Sequence, residues 1–240
     1  MDKEFILDLF KDINLGEISE DIWSDNIEYD LAIDGTSPYY TKNKAHLFDI
    51  KSGATKGVIV PVGADYVIKV PFKGGYDDYY YIDEETEEEM RDWRFMPFEF
   101  ARCECEDGGH WDYCLDETYY YAAAKAEGIE EFFCETKLLG YSGGHPVYVQ
   151  QRAETFHSNN CKVSSTPDSV QNVRVQCIKN GWYCFNSCWC DQALQCYGEE
   201  KFNKFMQFLK KYHICDLHDG NIGYTIDGMP VLFDYSSYNE

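Results

Sequence analysis

Positive charge is scarce in this chain: 21 lysines and arginines stand against 43 aspartates and glutamates, a formal net charge of −22. That balance argues against a nucleic-acid backbone as a direct partner, because phosphates and carboxylates repel. Two consequences stay open: a well-solvated surface, and mimicry of nucleic-acid charge toward a basic host protein. The chain also lacks any apolar run near the ~18 residues a membrane helix needs, so no membrane association is expected. Its start, MDKEFILDLFKDINLGEISED, is charged and amphipathic, without the apolar core of a secretory leader. The expected location is therefore cytoplasmic, where the 11 cysteines stay reduced. Their odd number would in any case leave one over in a complete disulfide framework. Repeated C-x₂₋₄-C zinc spacing is missing: Cys184, Cys188, Cys190 and Cys196 are irregular, and so are Cys103, Cys105, His110 and Cys114. A G-x-x-x-x-G-K-[ST] phosphate loop is missing as well.

What is present is enough for a core. Of the 240 residues 44% are apolar and 17% aromatic, so the chain folds as one large domain or two small lobes. Residues 3–24 read as one or two short helices, and 25–44 as irregular connection. In 46–72, two apolar runs, Val58–Val62 and Tyr66–Val70, flank Gly63-Ala64-Asp65 and predict strand, turn, strand. Ahead of them lies Ser52-Gly53-Ala54-Thr55-Lys56-Gly57, whose small residues would let backbone amides approach a phosphate or simply form a turn. Residues 73–112 read as an insertion, with the acidic run 83–92 as a solvated helix or loop and 98–105 as a strand.

A helix is predicted over 112–127, stopped by Gly128, with Tyr113, Glu117, Tyr120, Tyr121 and Ala124 on one face. Strands follow at 135–141 and 147–150 around a Ser-Gly-Gly-His-Pro turn. An amphipathic helix over 198–212 turns Phe202, Phe205, Met206 and Leu209 inward.

That helix leads into YHICDLHDGNIGYTIDGMPVLFDY, residues 212–235. Asp227-Gly228 between apolar runs predicts a hairpin that brings Asp234 back beside Asn221. An amide and a carboxylate placed so can hold Mg²⁺ against phosphates, and Asp216 can take or orient a hydroxyl proton. A surface hairpin with three solvated polar side chains is the alternative.

D-L-H-D-G-N (216–221), with F-D-Y (233–235) and Y-V-I-K (66–69) in the right order, resembles the protein-kinase-like superfamily, and within it the aminoglycoside and choline kinase branch. Ile214 stands where the histidine of a protein-kinase H-R-D motif would fall, a departure from the protein-kinase pattern. The ending near D-Y-S is similar to small kinase-like proteins of bacteriophages and prophages, which implies a bacterial host cytosol. The resemblance implies an α+β, two-lobed kinase-like fold. An N-terminal helical extension would occupy 1–45, an antiparallel-sheet small lobe 46–152, and a reduced helical large lobe 153–240.

The resemblance further implies ATP and Mg²⁺ as cofactors. Asp216 would be the catalytic aspartate, and Asn221 and Asp234 the Mg²⁺ ligands. Lys69 would hold the nucleotide phosphates, oriented by Glu117, with Asp116 and Glu127 as rivals for that role. Gly53, Ala54, Thr55 and Lys56 would cover the phosphates. Gln150, Gln151, Arg152 and Ala153 would form the adenine-binding hinge. The activity implied is phosphoryl transfer to a hydroxyl of a protein or small molecule. Nucleotidyl transfer, and non-catalytic binding of a basic protein, are the alternatives.

Overall fold

Strand alternation organises the molecule. The computed structural model describes residues 3–8, 10, 23, 48–53, 55–82, 89–97, 112–156 and 186–236, and the elements and counts below refer to these. The fold is mixed α+β with antiparallel sheets. Its main sheet holds β1 (Phe48–Ser52), β2 (Lys56–Pro61), β3 (Tyr66–Pro71), β6 (Thr136–Ser142) and β7 (His145–Gln151), in the order β1-β2-β3-β7-β6. Successive side chains on a strand point to opposite faces. The register Val58↔Lys69 and Lys69↔Tyr148 therefore puts Lys56, Val58, Val60, Val67, Lys69 and Gln150 on one face.

The other face is apolar. Ile59, Ile68, Val70 and Val147 pack there with Phe48, Phe72, Trp23 and Ile6, the last from α1 (Lys3–Asp8). Gly57 is required by this packing, since a Cβ there would sit 2.2 Å from the Trp23 ring. The rest of the expected N-terminal helices, and the expected strand at 98–105, lie outside the described residues.

The acidic run 83–92 is corrected at its end, while 83–88 lie outside the described residues. Two strands, β4 (Gly74–Ile82) and β5 (Glu89–Pro97), pair antiparallel in full register, so 89–92 belong to a strand rather than to a helix or loop. Their Tyr, Ile, Trp and Phe content favours extended backbone, and the like charges do not prevent it.

Helix α2 (Tyr113–Glu127) lies against β3 and β6 of the main sheet. Asp112 caps its start by accepting from Leu115 N, and Gly128 ends it in the left-handed conformation, φ 71°. Beyond α2 a second core gathers Tyr120, Phe132, Phe133 and Trp189 with Phe202, Phe205, Phe208 and Leu209. The last three elements to join it are α3 (Ser187–Tyr197), α4 (Glu199–Lys211) and a small sheet of β8 (Ala153–Thr155), β9 (Ile222–Thr225) and β10 (Pro230–Leu232). Phe208 takes the fully buried place expected of Met206, which is only partly covered. The reduced-cysteine expectation holds for Cys114, Cys134, Cys190, Cys196 and Cys215 and is corrected at Cys188, which is disulfide-bonded to a partner outside the described residues. No helix among the described residues is long and apolar enough to cross a membrane.

Candidate functional site

The predicted hairpin forms. Leu232 pairs with Ile222, Gly228 turns at φ 78°, and Thr225 N–H bonds the Met229 carbonyl. This return sets Phe233 N–H 3.1 Å and Asp234 N–H 3.5 Å from the Asn221 carbonyl, so Asp234 lies beside Asn221 as the Asp-Gly turn implies. Ahead of the hairpin, α4 ends with His213 at φ 54° and Ile214 N–H on the Leu209 carbonyl, 3.0 Å. A left-handed residue after a helix reverses the chain, and here the reversal delivers Asp216.

Asp216 and Asn221 are joined directly. Asn221 Nδ2 donates to the Asp216 backbone carbonyl at 2.8 Å and to its Oδ2 at 3.0 Å. His218 Nδ1 accepts from Gly220 N–H at 2.9 Å and so ties the loop between them. Asp216 stays partly exposed and Asn221 is buried.

Glu117 sits at the centre of a buried polar cluster on the inner face of the main sheet. It is the α2 carboxylate of choice: Lys69 Nζ donates to its Oε1 at 2.8 Å and its Oε2 at 2.9 Å. Asp116, also fully buried, and Glu127, paired at the surface with Lys211, do not take this part. Lys69 Nζ donates once more, to the Phe233 carbonyl at 2.7 Å, which fixes β3 to the segment carrying Asp234. Thr136 Oγ1 and Gln150 Nε2 complete the ring around Glu117 Oε2 at 3.0 and 3.1 Å.

The stretch 52–57 reads as a phosphate-covering loop; Ser52 ends β1 and Lys56 begins β2, so it connects the two strands, with Thr55 and Lys56 buried and Gly53 and Lys56 among the residues that line the cavity beside Asn221. The Lys56 ammonium donates to Glu117 Oε1 at 2.8 Å and to Asp234 Oδ1 at 2.6 Å, with Ser236 Oγ at 3.5 Å. Gly53 N–H closes back on the Lys56 carbonyl at 2.9 Å. Ala54 lies outside the described residues. The signal that could have found the inward place of Lys56 is its alternation with Val58 and Val60, which gives it the face of an inward strand residue.

The hinge candidates divide. Gln150 points inward, to Glu117 and Thr136. The Gln151 and Arg152 amides bond the Glu135 and Asp65 carbonyls, and the Arg152 guanidinium bonds the Ala64 carbonyl. Ala153 opens β8, which pairs with β9.

A cavity of about 270 Å³ runs between these pieces, lined by Lys51, Gly53, Lys56, Lys69, Gln150, Asn221 and Asp234 among others, with Val58, Val60 and Val67 as apolar wall. A neighbouring cavity of about 290 Å³ shares Lys51, Val60 and Val67 and adds Arg152, Glu154 and Tyr224. Burial works to raise the Asp234 carboxyl, but Lys56 and then Lys69 outweigh it and hold it below the ordinary carboxylate value. Burial pushes the Cys134 thiol up to about 12 and Cys114 well above its usual range, so neither is an activated nucleophile.

Among the described residues no three His, Cys, Asp or Glu side chains gather to hold a metal by themselves. Asp234 and Asn221 meet through their backbones and both line the cavity, offering it a carboxylate and an amide oxygen. That donor set fits Mg²⁺, which takes most of its oxygens from phosphates and water. No family model, curated protein or solved structure matches the chain.

Proposed function

We propose that this chain is a Mg·ATP-dependent phosphotransferase with a two-lobed kinase-like fold. One observation carries the reading. In a chain of net charge −22, three lysines, Lys51, Lys56 and Lys69, line the cavity beside Asn221, and among the described residues they are opposed by Asp234 in its wall and by Glu117 buried behind it. Cations concentrated in an otherwise acidic protein mark a place for an anion. The apolar wall of Val58, Val60 and Val67 beside them suits a base next to a phosphate chain.

Each residue then has a part. Lys69, held by Glu117 and the Phe233 carbonyl, presents a fixed positive charge to the phosphates. Mg²⁺ held by Asn221 and Asp234 would neutralise charge on the transferring group. Asp216, positioned by Asn221, orients the acceptor hydroxyl and takes its proton. The acceptor oxygen bonds to the γ-phosphorus as the bond to the β–γ bridging oxygen breaks, and ADP leaves. The acceptor is a hydroxyl of a protein or a small molecule.

Transfer of label from γ-phosphate-labelled ATP to a host extract, by wild type and by Asp216→Asn, tests this. Label transferred by wild type and lost in the variant supports it, and equal transfer by both contradicts it. The mass added to the product separates phosphoryl from nucleotidyl transfer. A second reading is favoured by the closed Lys56–Glu117–Lys69–Asp234 network, which would serve equally in a non-catalytic acidic protein that binds a basic partner. Salt-sensitive capture of a basic host protein that survives Asp216→Asn, with no transfer, would favour it.

A further inference from the structure

We propose that Lys56 is a built-in cation at Asp234, so that the cavity holds nucleotide phosphates before a divalent metal joins; this rests on the phosphotransferase reading. Two lysines serve one glutamate here, and their surroundings differ. The three protons of Lys69 Nζ meet three acceptors at 2.7–2.9 Å: both Glu117 oxygens and the Phe233 carbonyl. That arrangement anchors. Lys56 shares Glu117 Oε1 but reaches onward to Asp234 Oδ1 at 2.6 Å. Glu117 is wholly buried, while the Asp234 side chain is 25% exposed, so Lys56 spans from the interior to the cavity wall.

Position follows from register. Val58 is opposite Lys69, and Lys56 is two residues away on the same face of β2, so its ammonium converges on the same carboxylate from the neighbouring strand. The segment 233–234 is thereby held at two adjacent residues by two lysines, Phe233 by Lys69 and Asp234 by Lys56. No metal is needed to place Asp234.

The electrostatic consequence is specific. A carboxylate already bonded to an ammonium attracts a dication less strongly, because the added charges repel. The phosphate chain, by contrast, meets three lysine side chains on the cavity wall. Nucleotide binding and metal binding are therefore separable, with affinity resting on lysines and Mg²⁺ needed for the transfer step. Lys56 has both parts: it holds Asp234 and adds positive charge to the cavity wall.

The test is calorimetric titration of the full chain with ATP, in EDTA and in Mg²⁺, for wild type, Lys56→Met and Lys56→Arg. The wild type is expected to bind ATP in EDTA within about fivefold of its affinity in Mg²⁺. Lys56→Met is expected to weaken binding in EDTA by more than about tenfold and to recover much of it in Mg²⁺, while Lys56→Arg stays near wild type. Wild-type binding seen only with Mg²⁺ overturns the proposal, and so does an equal loss in Lys56→Met with and without Mg²⁺. Should Lys56→Met fail to fold, the wild-type and Lys56→Arg titrations still decide. Absence of ATP binding by wild type under every condition overturns the phosphotransferase reading itself, and the Lys56 proposal with it.

Discussion

Asn221 holds Asp216 by two hydrogen bonds from one amide nitrogen, 2.8 Å to the backbone carbonyl and 3.0 Å to the carboxylate. The pair fixes Asp216 Oδ2, while Oδ1 lies 3.6 Å from His218 Nε2 and the carboxylate stays partly exposed. Asp216→Asn should therefore change stability by less than about 1 kcal/mol. Phosphoryl transfer should fall by roughly 10²–10⁴-fold if Asp216 handles the acceptor proton. Urea unfolding and a labelled-phosphate assay on the same preparation measure both, and a large stability loss would give Asp216 a structural part instead.

Removing the carboxylate at Glu117 should do the opposite. It is fully buried and accepts from Lys56, Lys69, Thr136 and Gln150. Glu117→Ala leaves the buried Lys69 ammonium without a carboxylate and takes one of two from Lys56, and breaking such a cluster costs about 3–5 kcal/mol. An unfolding midpoint within error of wild type would contradict the network described here.

Stability should fall on mild acidification through His145. Its Nε2 donates to the Pro71 carbonyl at 2.8 Å, and burial lowers the ring from 6.5 to about 4. Between those values the unfolded chain binds a proton that the folded chain does not, so stability rises with pH across that window. From pH 7 to 5 the loss should be on the order of 2 kcal/mol. Unfolding free energies of wild type and His145→Gln against pH check it. The variant should show a shallower slope, and identical slopes would remove His145 as the source.

Gly223 is a steric requirement of the β8–β9 pairing, opposite the cavity-lining Thr155. A Cβ there would lie 2.0 Å from the Glu154 carbonyl oxygen, across the β8–β9 pairing. Backbone cannot yield as a side-chain tip can, so Gly223→Ala should destabilise by about 1–3 kcal/mol and weaken nucleotide binding. Thermal melting and ATP titration of the variant test both parts.

Local chemistry was legible in the sequence; register was not. The Asp227-Gly228 turn brings Asp234 beside Asn221 as its spacing implies, and Glu117, the residue the resemblance favours over Asp116 and Glu127, is the α2 carboxylate that meets Lys69. The small neighbours of Lys56 suggest a loop; its alternation with Val58 and Val60 gives it a strand face, and the Val58↔Lys69 register makes that the face of Lys69. The β4–β5 hairpin was hidden by its acidic residues, whose charge dominated a composition-based reading. Asp116 shows another limit. It is as buried as Glu117, though adjacent in sequence, because α2 is covered on more than one side.

The central claim is tested most directly by thermal unfolding of the wild type with and without saturating Mg·ATP, alongside Val60→Trp, which fills the cavity wall. A ligand at 100 times its dissociation constant stabilises by about 2.7 kcal/mol, a melting rise of roughly 5–10 °C for a chain of this size. The account predicts that rise in wild type and its loss in a folded Val60→Trp variant. No rise at millimolar Mg·ATP, or an equal rise in both proteins, would contradict a nucleotide site between Lys69 and Asp234.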